Sequence, residues 1–204
     1  MVGRFISFEG GEGSGKSTQA RLLADRLRLV GQPVVLTREP GGTQGAEAIR
    51  ALLVTGNPDR WTAWGEACLV NAARADHLAR VVRPAISRGE TVICDRYVDS
   101  TRAYQGAGKG LADADLCALH RMACGDVWPD LTIVLTIDPE LGLARARARR
   151  GGEDRFEAHD AAFHARIAAF LAALPDSVPD RCHGFAANQQ ISVIAAQIAA
   201  RVMA

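Results

Sequence analysis

Short apolar runs alternate along the chain with longer segments whose apolar positions recur at helical spacing. Arg4-Phe5-Ile6-Ser7-Phe8-Glu9 reads as a first buried strand, and Leu22, Leu23, Leu27 and Val30 mark a helix over residues 19–30. Gly31-Gln32-Pro33 breaks that helix. Residues 34–37 predict a second buried strand, running into a Pro40-Gly41-Gly42 loop that neither helix nor strand crosses. Thr43 is placed to cap a short amphipathic helix carrying Ala46, Ile49, Leu52 and Leu53. After Asn57-Pro58-Asp59, a long helix is expected over about residues 62–87, with an inward stripe of Val70, Arg74, Leu78, Val81 and Ala85. Strands at 91–95 and 132–138 flank a helix over 112–125. Asp138-Pro139-Glu140 reads as an N-cap, a first-turn proline and a first-turn acid. A helix over 156–174, a strand near His183-Gly184-Phe185 and a helix over Ile191–Met203 finish the chain. Strands alternating with helices predict an α/β fold whose parallel sheet is covered on both faces.

Bulk properties narrow this further. A length of 204 residues suits one substantial core, so a single domain over 1–204 is expected. A formal net charge of +1 gives no electrostatic case for nucleic acid or an anionic membrane. No apolar run reaches transmembrane length and no secretory pattern is present. The five cysteines (Cys68, Cys94, Cys117, Cys124 and Cys182) are odd in number and lack C-x-x-C spacing. They read as reduced, buried thiols of a cytoplasmic protein, Cys117 and Cys124 lying on one helix face. His159 and His164 fit no metal-ligand spacing and read as solvated surface residues.

The chemistry concentrates in Gly10-Gly11-Glu12-Gly13-Ser14-Gly15-Lys16-Ser17-Thr18, which fits G-x-x-x-x-G-K-[ST] between a strand and a helix. Glycines let successive N–H groups turn toward phosphate oxygens, and the helix that follows adds its positive N-terminal end. Lys16 brings a mobile charge to the outer phosphates, and the Ser17 hydroxyl suits Mg²⁺. Lys16 and Lys109 are the only lysines in a chain whose other cations are arginines, so a compact ammonium stands where a point charge suits phosphate.

Other candidates follow from position. Arg38-Glu39 sits at the C-terminal end of a strand, where ligands bind in open α/β sheets; this favours phosphate binding by Arg38 over a surface ion pair. Arg74 interrupts an inward stripe, so either it snorkels to water or its guanidinium meets a ligand. The strand ending in Asp95 brings a carboxylate to the metal in the manner of P-loop proteins, a role Asp138 as helix cap does not share. Residues 99–110, dense in hydroxyl, amide and aromatic groups, suit a polar ring. The run Arg145-Ala146-Arg147-Ala148-Arg149-Arg150-Gly151-Gly152-Glu153-Asp154-Arg155 is either a solvated face or a hinged lid closing guanidinium groups onto phosphate, and the P-loop favours the lid. A GTPase switch would need Asn-Lys-x-Asp, which is absent; a small-molecule kinase acting on another acceptor and a P-loop ATPase switch remain as rivals.

Taken together, the segments Phe8–Thr18, Thr37-Arg38-Glu39-Pro40-Gly41-Gly42-Thr43, Asp95-Arg96-Tyr97, Ala103-Tyr104-Gln105-Gly106 and Asp154-Arg155-Phe156-Glu157 resemble the thymidylate kinase family in content and order. The resemblance implies a three-layer P-loop NTPase fold, nucleoside monophosphate kinase-like, with a five-stranded parallel sheet. It also implies ATP- and Mg²⁺-dependent phosphorylation of dTMP to dTDP, small-molecule partners only, and a homodimer. Glu12 would meet the deoxyribose 3′-hydroxyl, Arg38 would hold the dTMP phosphate, and Arg96 would sit near both phosphoryl groups. Arg74 would donate to the thymine edge. Arg50, Val70, Ser100, Thr101 and Gln105 fall among the substrate contacts, and Tyr104 would crowd the 2′ position. Ser17 and Asp95 would serve the metal. Lys16, Arg96, Asp95 and a lid arginine would be catalytic, the last taken at Arg149 with Arg145, Arg147 and Arg150 as alternatives. Two departures stand out. Val70 occupies the position where the family usually stacks a phenylalanine on thymine, and the lid is about one residue longer.

Overall fold

In a computed structural model that describes residues 3–148 and 154–203, five parallel strands form one sheet in the order β2-β3-β1-β4-β5. The strands are β1 (Phe5–Gly10), β2 (Val34–Arg38), β3 (Thr91–Asp95), β4 (Leu131–Thr136) and β5 (Cys182–Ala186). This is the expected α/β architecture. β1, β3 and β4 are apolar and buried because each is paired on both sides. β2 is not the buried strand its apolar run suggests: it pairs only with β3, and Leu36 is exposed. Register fixes the site. Arg38 lies opposite Asp95, and Asp95 opposite Phe8, so the ends of three strands sit level beside the turn that follows Gly10.

Ile6, Phe8, Ile93, Ile133 and Leu135 face a layer made by α1 (Lys16–Leu29) and α10 (Ile191–Met203). Phe5, Val92, Cys94 and Val134 point to the opposite layer. That layer contains α3 (Ala63–His77), its continuation α4 (Arg83–Ser87), and α9 (Ala161–Ser177). Each such aromatic or aliphatic side chain contributes about 1.5–3 kcal/mol on burial, so alternation along β1 stabilises both layers at once. In α1 the buried stripe is Ala20, Leu23, Ala24 and Leu27. Leu22 and Val30, taken from the spacing as inward, are exposed.

Side-chain caps set four of the α-helix starts. α2 (Gln44–Val54) begins as expected at Thr43, whose hydroxyl accepts from Ala46 N, and α3 begins at Thr62, which accepts from Gly65 N. The long helix widens into a π turn over Leu78–Val82, immediately before Pro84. A proline ring clashes with the carbonyl four residues back in a regular helix, and the wider turn relieves this. The same turn rotates the stripe, so Val82 rather than Val81 is buried. Residues after β3 form α5 (Val98–Thr101), then a second π turn over Arg102–Gly108, then α6 (Asp113–Cys124). Asp138 caps α7 (Pro139–Ala148) by accepting from Glu140 N and Leu141 N, as its spacing predicts. The helix expected over 156–174 is instead two: α8 (Asp154–Glu157) and α9, whose first turn Asp160 caps through Phe163 N.

Candidate active site

The loop from Gly10 to Lys16 curls at the end of β1. Gly15 is left-handed (φ 88°), so helix α1 starts at Lys16 itself, three residues before the apolar spacing suggests. Gly13 (φ 66°) and Gly142 of α7 let two backbones meet. A Cβ on Gly13 would lie 1.9 Å from Gly142 O, and one on Gly142 would lie 2.4 Å from Glu12 O. The Lys16 ammonium is buried and donates to Gly10 O (3.0 Å) and Gly11 O (2.8 Å). Burial, and then repulsion from Arg96, lower its pKa to about 8. It therefore keeps its charge at neutral pH.

Ser17 Oγ donates to Asp95 Oδ2, and Asp95 Oδ1 is buried without a partner. A hydroxyl and a carboxylate with an unsatisfied oxygen form a hard-oxygen set, which fits Mg²⁺ rather than a softer metal. Beside Asp95, Arg96 has φ 69°, a conformation costing a non-glycine residue about 1–3 kcal/mol. It is held there by Arg96 N donating to Phe8 O (2.9 Å) and by the Cys94 thiol donating to Arg96 O (3.0 Å). Its guanidinium donates to Glu12 Oε1 (2.8 Å), Gly10 O and Ser100 Oγ (3.3 Å each), and lies over the Tyr104 ring. Tyr104 Oη also donates to Glu12 Oε1 (2.6 Å). Burial alone would raise the Glu12 pKa; Arg96 and Lys16 outweigh it and bring the carboxyl down to about 2.

One cavity of about 290 Å³ adjoins this loop. Its walls bring together Glu12, Lys16, Ser17, Arg38, Arg50, Val70, Arg74, Asp95, Arg96, Ser100, Thr101, Tyr104 and Gln105. With them stand Glu39, Pro40, Leu53, Val54 and, from beyond residue 153, Phe156 and Glu157. The sequence-derived substrate residues, read separately from segments far apart in the chain, therefore line one space. Arg38 lies at its mouth, its guanidinium shared with Glu47 (3.1 and 3.2 Å). Arg50 donates to Pro40 O (2.7 Å). Arg149, with Arg150, lies outside the described residues. Arg145 and Arg155 turn toward the protein rather than toward the loop: Arg145 donates to Ala187 O (2.9 Å), and Arg155 is buried against carbonyls of residues 53–58.

Arg74 neither snorkels nor waits for a ligand to balance it. It is 1% exposed and donates to Glu39 Oε2 (2.7 Å), Asn71 Oδ1 (3.3 Å) and Thr101 Oγ1 (2.9 Å), with Tyr97 beneath it. Glu39 in turn meets His77 Nδ1 (3.0 Å), whose Nε2 meets Thr37 Oγ1 (2.7 Å). Glu39, His77 and Cys94 approach closely enough to suggest a metal, yet each already has a hydrogen-bond partner. Glu39 and His77 serve to hold Arg74, and Cys94 serves the Arg96 carbonyl.

Sequence reasoning missed Glu39 and His77 as supports, although the Arg74 anomaly signalled that some acid had to lie opposite. It also gave no role to Glu9. That carboxylate is fully buried and accepts from Tyr97 N (2.8 Å) and Ser100 Oγ (2.5 Å); burial, then Asp99, push its pKa up to about 7. The histidines are corrected: His164 is buried and His159 half-buried, stacked on Phe163. Cys94, Cys124 and Cys182 are buried free thiols, but Cys68 is exposed and Cys117 half-buried, against expectation.

Comparison with known proteins converges on one family. The family model described as thymidylate kinase matches residues 8–198. The chain is 51% identical over 196 residues to the thymidylate kinase of Caulobacter vibrioides, covering 96% of this chain and 94% of that one. It is 50% identical over 200 residues to that of Dinoroseobacter shibae, covering 98% and 96%. The crystal structure of thymidylate kinase from Ehrlichia chaffeensis superposes with a TM-score of 0.80 at 30% identity over the whole of both chains.

Proposed function

The chain belongs to the thymidylate kinase family, and on that premise we propose how its own residues carry the family's reaction, transfer of the γ-phosphoryl group of ATP to dTMP to give dTDP and ADP. The loop amides of residues 10–18 and Lys16 bind the donor phosphates. dTMP occupies the cavity with its phosphate toward Arg38, Arg50 and Arg96. Its base lies toward Val70, Arg74, Thr101 and Gln105, and its sugar toward Glu12, Ser100 and Tyr104. A phosphate oxygen of the acceptor attacks in line, so no covalent enzyme intermediate forms and catalysis is positioning plus charge neutralisation. Ser17 and Asp95 would hold Mg²⁺, which when bound supplies further positive charge against the donor's outer phosphates. A lid over 145–157 supplies the last guanidinium, assigned to Arg149.

The observation that carries this reading is the shared cavity. Lys16 of the glycine loop and three arginines from separate segments, Arg38, Arg50 and Arg96, line the same space. Donor phosphate and acceptor monophosphate need such charge within one enclosure. We further read the protein as a cytoplasmic homodimer; among the described residues no helix is long and apolar enough to cross a membrane. The test is coupled ADP release with dTMP, dUMP, UMP, CMP and AMP as acceptors. dTMP should be strongly preferred. Preference for a non-thymidine acceptor, or ADP release without any acceptor, overturns the assignment.

A further inference from the structure

The carboxylate of Glu66, in the first turn of α3, is fully buried and has no part in the reaction described above. It accepts from Lys109 Nζ (2.7 Å), from Gln105 Nε2 (2.9 Å) and from the Arg155 guanidinium. Arg155 is 1% exposed. Its other donors go to Leu53 O (3.0 Å), Asn57 O (2.9 Å) and Pro58 O (2.7 Å). Leu53 lies in the last turn of α2, where carbonyls lack helical partners. Only a planar fork of five donors satisfies three carbonyls and a carboxylate at once; an ammonium does not.

Arg155 thus joins the end of α2 to the start of α3 and, through Glu66, to the π turn over Arg102–Gly108. Two branches of this junction end on the cavity wall. Gln105 stands on one branch and Leu53 on another. Along the chain from Arg155 itself come Phe156, which meets Tyr104 edge-on (5.5 Å between ring centres), and Glu157. A buried guanidinium committed to protein oxygens does not reach a phosphate. Its influence on the cavity is through what it holds.

We propose that Arg155 is a positioning residue for the acceptor pocket: through Glu66 it fixes Gln105, and along the chain it fixes Phe156 against Tyr104, so it governs monophosphate affinity without touching the monophosphate. This rests on the assignment of the cavity to the acceptor. Because Lys109 remains beside Glu66, replacing Arg155 does not strand a buried carboxylate.

The test is Arg155→Met, assayed with both substrates varied. The expected result is a KM for dTMP raised about tenfold or more, with the KM for ATP within about twofold of wild type. Hydrogen exchange should also quicken in Arg102–Gly108, which Arg155 reaches only indirectly, by way of Glu66 and Phe156. An unchanged KM for dTMP, an equal rise in both KM values, or unchanged exchange in that turn overturns the proposal. If Arg155→Met does not yield folded protein, Arg155→Lys keeps the charge beside Glu66 but loses the fork, and the same criteria apply. A wild-type enzyme that prefers another acceptor would count against the substrate reading alone, and exchange over Arg102–Gly108 would then decide for Arg155.

Discussion

The two sides of the cavity are built by different means. The donor side is a single run, residues 10–18, shaped by main-chain conformation, with left-handed glycines at 13 and 15 and a close approach to Gly142. The side assigned to the acceptor draws on strand ends, helices and a π turn between Arg38 and Gln105, and is held by ion pairs such as Arg74–Glu39, with Arg96–Glu12 joining it to the loop. One side is encoded in backbone freedom, the other in charges that must find each other across the fold. A lesion on the first should remove chemistry and spare stability, because little of the fold depends on it. A lesion on the second should cost both.

Lys16→Ala gives the sharpest form of this contrast. Loss of the ammonium should lower kcat by about a thousandfold, the scale of removing one preorganised charge contact in a water-poor site. Stability to urea should stay level or rise, since a buried ammonium with a pKa lowered to about 8 is disfavoured in the folded state. A variant that is active within tenfold of wild type would remove Lys16 from the mechanism. A variant that is markedly less stable would break the distinction between the two sides.

Arg74→Met probes the other side. It leaves Glu39 buried beside His77 without its cation, and breaking such a pair costs about 3–5 kcal/mol, readable as a shift in urea midpoint. Adding Glu39→Met should recover much of that stability, because two apolar side chains carry no stranded charge. It should not recover the KM for dTMP. Recovery of both would mean that Arg74 acts only as a structural ion.

This difference also explains what was legible beforehand. The glycine loop could be read almost whole, since its constraints are local and lie in consecutive residues. Strands β1, β3 and β4 and the caps at Thr43 and Asp138 were equally plain, for the same reason. Arg74 could be recognised as anomalous but its partner could not, because Glu39 lies 35 residues earlier in sequence and only the sheet brings them together. The edge position of β2 was hidden by an apolar run that looks the same at the edge and at the centre. Nor did composition mark the two π turns, which shift a helix by one residue and thereby exchanged Val81 for Val82. The cap at Asp160 left a local signal, an acid just before an apolar run, that was overlooked in favour of a longer helix.

A smaller effect separates the two sides by pH. The Lys16 ammonium titrates at about 8 when folded and at 10.5 when unfolded, so the unfolded chain binds more protons between those values. Its contribution to stability therefore improves as pH rises from about 8 to 10.5. Activity should move the other way: kcat/KM for ATP is expected to fall about tenfold per pH unit above about 8, since this ratio reports the unliganded enzyme. Glu12, held down to about 2 by Arg96 and Lys16 against its burial, stays ionised throughout that range and adds no limb of its own. A profile of kcat/KM that stays flat to pH 9.5, in a protein still folded by circular dichroism, would mean that the loop does not depress the Lys16 pKa.

The smallest effect tests whether every arginine on the acceptor side depends on its acid as Arg74 does. Arg38 and Glu47 are 54% and 42% exposed, against 1% and 2% for Arg74 and Glu39. An exposed pair contributes between about 0 and 1 kcal/mol, because water screens the charges and two long side chains must be held still. Glu47 also accepts from Gly42 N (3.0 Å), a bond that the amide oxygen of a glutamine can keep. Glu47→Gln should therefore change stability by less than about 1 kcal/mol and leave the KM for dTMP level or slightly lower, as Arg38 is released toward the phosphate. If instead the KM rose tenfold with stability unchanged, Glu47 would be aiming Arg38, and the acceptor wall would be preorganised by its exposed pairs as well as its buried ones.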